Sequence, residues 1–242
     1  MHPTTVDQYQ SPHSSPRLSH RHEPHVNPVM TAKIPPTFLR RYTDLPALLH
    51  ILATRQLTLI DPGSWDDKND SRFMALYKDR MKLKSVLALC FTTSIETYHH
   101  WRVFSHGPAG ACILFNRDPI ANALNAVNAT LKPVQYVTLK KLQDGPALSV
   151  SDLPFVKRYA YKHELEVRAL YESKKKLLSK SVPIELDCIR SISLSPWMHQ
   201  SLRNSTVAAI KKINGCSHLK ISRSTLISND QWQAFGEGAV DG

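Results

Sequence analysis

Apolar and polar positions along this chain switch repeatedly between the period of a helix and the period of a strand. Phe38-Leu39-Arg40-Arg41-Tyr42 reads as a short aromatic and basic strand. Thr43 or Asp44 can then cap a helix in which Leu45, Leu48, Leu49 and Leu52 recur at helical spacing, with Pro46 in its first turn. A strand is predicted at 57–60, followed by an Asp-rich turn and a helix over about 71–83 with Phe73, Leu76, Tyr77 and Met81 facing inward. The apolar strand 86–91 runs into Thr92, Thr93 and Ser94, and a helix opening near Ser94 carries Tyr98, Trp101 and Phe104 until Gly107, Pro108 and Gly110 break it. A strand at 110–116, a helix at 118–130 and a strand at 134–139 follow. After a Gly145-Pro146 loop, a short helix at about 151–160 leads into a strand through Glu164, Glu166 and Arg168 that ends near Tyr171. The stretch 174–180 reads as a solvated turn, 184–194 as a strand with a bulge, 197–213 as a helix, and 217–222 with 225–228 as a closing strand pair. Strands joined by both hairpins and helices predict an α+β fold: one domain with a mixed, largely antiparallel sheet and flanking helices.

The segment Tyr161-Lys162-His163-Glu164-Leu165-Glu166-Val167-Arg168 carries the most chemistry. Side chains alternate on a strand, so Glu164, Glu166 and Arg168 are expected on one face and Leu165, Val167 and Ala169 on the other, with same-face neighbours about 7 Å apart. That spacing suits a sugar: one carboxylate can hold a ribose hydroxyl while the other manages the group that attacks or leaves. The plain alternative is the wet face of a half-buried antiparallel strand.

In chain order the features are the Arg strand, the Thr/Ser strand end and the E-x-E segment. This order resembles the arginine, serine, glutamate order of the ADP-ribosyltransferase superfamily. The resemblance implies an ADP-ribosyltransferase-like fold with NAD as substrate: Arg41 on the phosphates, Tyr42 beside it, and Thr92 or Ser94 on the nicotinamide ribose. Trp101 and Phe104, one helical turn apart, read as core residues, of which one could wall a nicotinamide pocket. Glu166 is then the principal catalytic carboxylate and Glu164 assists in deprotonating the acceptor. Cleaving the nicotinamide glycosidic bond develops positive charge on the ribose, which a fixed carboxylate offsets as in glycosidases.

A second resemblance spans most of residues 36–230 and is to a large bacterial family of uncharacterised proteins. An aromatic-N-D-P-aromatic-D turn is matched by Trp65-Asp66-Asp67-Lys68-Asn69-Asp70, with Asp66, Lys68 and Asn69 departing from the pattern. C-F-S, W-x-x-Y and G-x-C-I-x-F are matched by Cys90-Phe91-Thr92, Trp101 to Phe104, and Gly110 to Phe115. K-x-x-x-W-x-Y-E-x-E-W-R is matched by Lys157, Tyr161, His163, Glu164, Glu166 and Arg168, with Val167 in place of the second Trp.

Composition narrows the setting. At 242 residues with 42% hydrophobic content the chain can bury one sizeable core. Residues 1–32 hold five of the twelve histidines, His2, His13, His20, His22 and His25, among Pro and Ser, and are expected to form a disordered tail before a domain at 33–230 and a C-terminal tail at 231–242. No apolar run suggests a signal peptide or a membrane span, and four dispersed cysteines without a C-x-x-C pair fit a reducing cytoplasm without structural zinc. His99, His100 and His106 lack a metal-binding spacing, and Asp66, Asp67 and Asp70 lack that of a calcium loop, so no metal is expected and the acidic turn is read as having a capping or turn role. No glycine-rich phosphate loop is present, which excludes P-loop chemistry.

The net charge of +11, with pairs and runs at Lys140-Lys141, Lys157-Arg158, Lys174-Lys175-Lys176 and Lys211-Lys212, favours polyanion contact and makes nucleic acid the expected partner and acceptor. An activity of this kind suits a toxin or phage-defence effector, whose protein partner would be an antitoxin or inhibitor. The competing reading is a catalytically inactive protein of the same fold that holds nucleic acid or a partner.

Overall fold

In this computed structural model, which describes residues 37–105 and 107–239, a sheet of nine strands carries helices on both faces. The expected tail at 1–32 and His106 lie outside the described residues. The chain runs β1 (Phe38–Asp44), α1 (Leu45–Thr54), β2 (Gln56–Ile60), α2 (Lys68–Arg80), β3 (Ser85–Thr92), α3 (Tyr98–Phe104), β4 (Gly110–Asn116) and α4 (Arg117–Ala126). It continues through β5 (Thr130–Pro133), β6 (Gln135–Val137), α5 (Leu139–Asp144), β7 (Val156–Arg158), β8 (Glu166–Ser173) and β9 (Ser179–Pro183). The last elements are β10 (Ile189–Leu194), α6 (Gln200–Lys212), β11 (Ile221–Arg223) and α7 (Asp230–Glu237).

The sheet order is β11-β10-β4-β1-β3-β2-β9, with β8 on β3 and β5 on β8. Every pairing in it is antiparallel except β10 with β11, and β6 and β7 form a separate parallel pair. The fold is therefore α+β with a largely antiparallel sheet, as the alternation of hairpins and helices predicts.

Alternation along the strands divides the core. Leu87, Leu89 and Phe91 of β3, Val167 and Ala169 of β8, and Ile113 and Phe115 of β4 face a large apolar core with Leu48, Ile51 and Leu52 of α1 and Ile120 and Leu124 of α4. On the opposite face Val86, Ala88 and Leu170 pack with Met74 and Tyr77 of α2, while Tyr42 and Cys112 pack with Trp101 of α3.

The pairing of β3 opens the functional face. One edge of β3 is paired with β8 along its whole length, from Ser85↔Ser173 to Thr92↔Glu166. The other edge meets β1 only at Arg40↔Thr92 and β2 only at Ile60↔Ala88. Between those two points backbone groups of β3 have no strand partner, and such groups need another. The Cys90 carbonyl accepts from Arg41 Nη1 at 3.1 Å, and just beyond the strand the Ser94 carbonyl accepts from Arg40 Nη1 at 2.8 Å.

Caps fix the helices around this opening. Asp44 accepts from Ala47 N at 2.8 Å to start α1, Asp67 accepts from Asn69 N and Asp70 N to start α2, and Thr97 accepts from His100 N to start α3. The Asp67 cap starts α2 at Lys68, three residues before the expected start near 71, and its buried stripe is Asp70, Met74 and Tyr77, with Met81 exposed beyond its end.

Other expectations need correcting. The stretch 174–180 is not wholly a turn: residues from Ser179 pair with β2, because Val182 can bury opposite Leu57. The expected strand pair at 217–222 and 225–228 reduces to β11, which runs parallel to β10, while Ser224 N turns back to the Leu194 carbonyl. The expected helix at 151–160 is two 3-10 turns, Val150–Phe155 and Tyr159–Glu164, separated by β7. Most consequentially, Glu164 is not on a strand. It ends the second 3-10 turn, and Leu165 takes a left-handed conformation at φ 43°, ψ 46° before β8 begins at Glu166.

Candidate active site

A cavity of about 560 Å³ lies over the open edge of β3, between the turn that starts α2 and the helix α3. Its volume is that of a small-molecule site. Arg40, Arg41 and Tyr42 come from β1, Cys90 and Thr92 from β3, Phe104 from α3, and Lys157, Glu164 and Glu166 from the far side of β3. Of the residues expected at the site, Glu164, Glu166, Arg41, Tyr42 and Thr92 are brought together here. Ser94 and Trp101 do not line it. Trp101 is fully buried against Tyr42 and Cys112, its indole N–H donates to Glu96 at 2.6 Å, and Phe104, one turn later, takes the wall position.

The carboxylate side is a closed charge network. Arg168, with no exposed surface, uses all five of its N–H donors. Nε and Nη2 donate to Glu166 at 2.8 and 3.0 Å, Nη1 and Nη2 to Asp70 at 3.0 and 2.7 Å, and Nη1 to the Pro154 carbonyl at 2.7 Å. The ring of Trp65 covers the guanidinium at 4.8 Å. Lys157 Nζ lies 2.7 Å from Glu164, 3.4 Å from Glu166 and 3.8 Å from Asp70. Three carboxylates against two cations leave a formal charge of about −1 when all are ionised.

The two glutamates are driven apart in acidity. Burial alone would raise Glu166, but the charge and hydrogen bonds of Arg168, helped by Lys157, overcome it and hold Glu166 at about 2. For Glu164, burial outweighs the pull of Lys157 and raises it above its ordinary range. Asp70 is likewise raised, chiefly by burial. Two neighbouring carboxyls with opposed shifts are a recognisable division into a fixed anion and a proton-exchanging group. The Cys90 thiol beside Glu166 is pushed up by burial and by that carboxylate, so it is not a nucleophile at neutral pH.

The hydroxyl strand end positions Glu164 rather than pointing freely at the cavity. Thr92 Oγ1 donates to the Glu164 carbonyl at 2.5 Å and accepts from Ser94 N at 2.9 Å. His100 Nε2 lies 3.2 Å from the same carbonyl and Nδ1 lies 2.6 Å from Thr97 Oγ1. The neutral tautomer with its hydrogen on Nε2 satisfies both interactions, and burial lowers the pKa of His100, which favours the neutral ring. Thr93 N and Oγ1 both donate to the Leu165 carbonyl, at 3.0 and 3.2 Å.

A left-handed non-glycine residue costs about 1–2 kcal/mol, and the four bonds to the Glu164 and Leu165 carbonyls offset that cost. Leu165 is 48% exposed, so its side chain contributes little packing there. Leu165→Gly is therefore expected to melt at or slightly above the parent, and Leu165→Val about 1 kcal/mol less stable, since β-branching is poorly tolerated at positive φ. A thermal melt that ranks Val above Gly would contradict the strained turn.

Asp70 and His100 escaped the sequence reading as functional groups, and Lys157 entered only as part of a motif and of the basic pair Lys157-Arg158. Asp70 carried a usable signal: an acid at the head of the stripe Asp70, Met74, Tyr77 faces the core and needs a cation. At the arginine side, Arg40 and Tyr42 share one face of β1. Arg41 alternates to the other, yet turns its guanidinium into the opening, where Nε is buried without a partner and burial lowers its pKa. Among the described residues no cluster of His, Cys, Asp or Glu is arranged to hold a metal ion, and no helix is long and apolar enough to cross a membrane.

No protein-family model matches the chain, and no curated protein matches its sequence. Among solved structures it is similar to DarT of Thermus sp. 2.9 in complex with NAD+, at 10% identity and a TM-score of 0.42, over 79% of this chain and 96% of that one. The same protein in complex with carba-NAD+ aligns at 10% identity and a TM-score of 0.39, over 79% and 97% of the two chains. Its complex with ADP-ribosylated ssDNA aligns at 9% identity and a TM-score of 0.42, over 78% and 94%. At TM-scores this low the likeness is one of general outline and assigns no chemistry to these residues.

Proposed function

We propose that this chain cleaves the nicotinamide–ribose bond of NAD and transfers the ADP-ribose to nucleic acid in a reducing cytoplasm, an activity suited to a toxin or defence effector. The observation that carries the reading is the pair of buried glutamates whose acidities are shifted in opposite directions, set in a net-negative cluster on one side of β3, with Arg40 and Arg41 on the other. In this reading the pyrophosphate meets the two guanidiniums and the nicotinamide ribose lies toward the carboxylates. As the C1′–N bond breaks, its electron pair leaves on the nicotinamide ring and positive charge grows on the ribose. Glu166, held ionised by Arg168, stabilises that charge without reorganising. The acceptor's oxygen or nitrogen bonds to C1′, and its proton passes to Glu164.

One observation favours a second reading. Both oxygens of Glu166 are already bonded to Arg168, as in a purely structural ion pair, which suits the inactive binding protein. The experiment that separates the two is nicotinamide release from NAD by the parent and by Glu166→Gln: turnover that depends on Glu166 supports the enzyme, and none from the parent supports the binder.

Nucleic acid as acceptor is testable through charge. Lys174 is unsuited to the test because its ammonium bonds the Met81 and Lys82 carbonyls at the end of α2, at 2.9 and 3.2 Å. Lys175 and Lys176 are exposed. Replacing both by Gln is expected to weaken single-strand binding and to flatten the slope of log affinity against log salt by about 0.7 for each phosphate that the variant no longer neutralises. An unchanged slope by fluorescence anisotropy places the phosphate-binding cations elsewhere on the surface.

A further inference from the structure

Lys157 is a largely buried cation with three carboxylates about it. Its side chain is only 9% exposed, sits on the ring of Tyr161 at 4.8 Å, and makes its shortest polar approach to Glu164 Oε2. Glu164 Oε1 makes no hydrogen bond among the described residues, while its main chain is held from the other side by Thr92 and His100. We infer that Lys157 is a positioning residue for the transfer step: its ammonium holds the Glu164 carboxylate ionised and aimed into the cavity until that carboxylate takes the acceptor's proton. This rests on the NAD-dependent reading of the same site.

The arrangement suits the proton's movement. When Glu164 becomes neutral, Lys157 is not left alone in a buried place, because Glu166 at 3.4 Å and Asp70 at 3.8 Å remain as counter-ions. Removal of Lys157 has the opposite effect on Glu164: burial and the neighbouring Glu166 then act with less opposition, and the carboxyl keeps its proton to higher pH. The charged and titratable groups around Glu164 are Lys157 from β7, Glu166 from β8, His163 beside it in the chain, Tyr136 from β6 and His100 from α3. His99 lies against His163, with ring centroids 4.3 Å apart, and Asp70 of α2 acts through Lys157. Of these, Lys157 alone bonds the Glu164 carboxylate.

The test is the pH profile of ADP-ribose transfer in Lys157→Met and Lys157→Arg, with the carbon-13 titration of the Glu164 carboxyl, identified by its loss in Glu164→Gln, as a second readout that needs no NAD. The Met variant is expected to move the acid limb of the profile up by about one pH unit or more, so that transfer falls much further at pH 6 than at pH 9, and to move the carboxyl titration the same way. The Arg variant is expected to restore both. Where the Met variant fails to fold, Lys157→Gln, which keeps a donor and loses the charge, replaces it. A uniform loss at every pH with an unmoved limb overturns the inference. If the parent releases no nicotinamide, the NAD-dependent reading falls, and the titration alone decides whether Lys157 holds Glu164 ionised: an upward move supports it, an unmoved midpoint refutes it.

Discussion

Glu166→Gln is expected to slow NAD cleavage by about 10²–10³-fold, the loss that follows removal of one preorganised electrostatic group, worth about 3 kcal/mol in the transition state. The amide keeps the volume and one acceptor oxygen but turns an N–H toward Arg168. The variant is therefore also less stable by about 1–3 kcal/mol, since a charge-assisted bond is removed from a buried pair. Nicotinamide release must accordingly be measured well below the variant's melting temperature and normalised to folded protein. Glu164→Gln is expected to spare hydrolysis of NAD more than transfer, because the stabilising charge remains and only the acceptor's base is missing. Equal damage to both reactions in Glu164→Gln would contradict the division of labour.

The largest effect on stability is expected from Arg168→Met. Methionine fills much of the space but takes the guanidinium's charge-assisted bonds from Asp70 and Glu166, leaving these buried carboxylates with Lys157 as their one nearby cation, and breaking a buried pair in this way costs about 3–5 kcal/mol. The pH dependence then inverts. In the parent, Glu166 is depressed from its ordinary 4.5 to about 2, so its contribution is present above pH 4.5 and is lost as pH falls through about 2. Asp70, raised by burial, works against this within the same cluster. In Arg168→Met both carboxyls are raised, so the variant gains stability as acid neutralises them. Adding Asp70→Asn and Glu166→Gln to Arg168→Met is expected to recover part of the loss at pH 7, because the three groups share one network. Denaturant midpoints at pH 7 and pH 5 check this: a variant that is merely cavity-damaged would show the same deficit at both.

How far the sequence disclosed this site differs from residue to residue. The sheet and most helices were legible because apolar period and caps agree, as at Asp44 and along β3, β4 and β8. The pairing of Glu164 with Glu166 at one cavity was also legible, but for a partly wrong reason. A pleated strand would place residues two apart on one face. The chain instead reaches that outcome through a 3-10 turn and a left-handed Leu165 held by Thr93, long-range interactions that no local pattern encodes.

Thr92 has the right address and a different use, since its hydroxyl is occupied by the Glu164 carbonyl and Ser94 N. Trp101 shows the limit of helical spacing: Phe104 lies one turn on, yet only the latter reaches the cavity, because the former is directed into Tyr42 and Cys112. Asp70 finds Arg168 across 98 positions of sequence, and nothing in the acidic turn names that partner. The open edge of β3 comes from two strands meeting it at one residue pair each, a property of sheet topology that no one-dimensional pattern contains.

The proposed function has the cavity over β3 split NAD and pass ADP-ribose to a polyanionic acceptor. Its most direct test is incubation of the full chain with NAD labelled in its adenylate half, together with separate pools of single-stranded DNA, RNA and protein. Free nicotinamide and transferred label are followed, with folded Glu166→Gln as the control. Release of nicotinamide and label on one nucleic-acid pool, both absent with the control, is the predicted result. An intact NAD pool in the presence of well-folded parent protein, or equal turnover by the control, would contradict it.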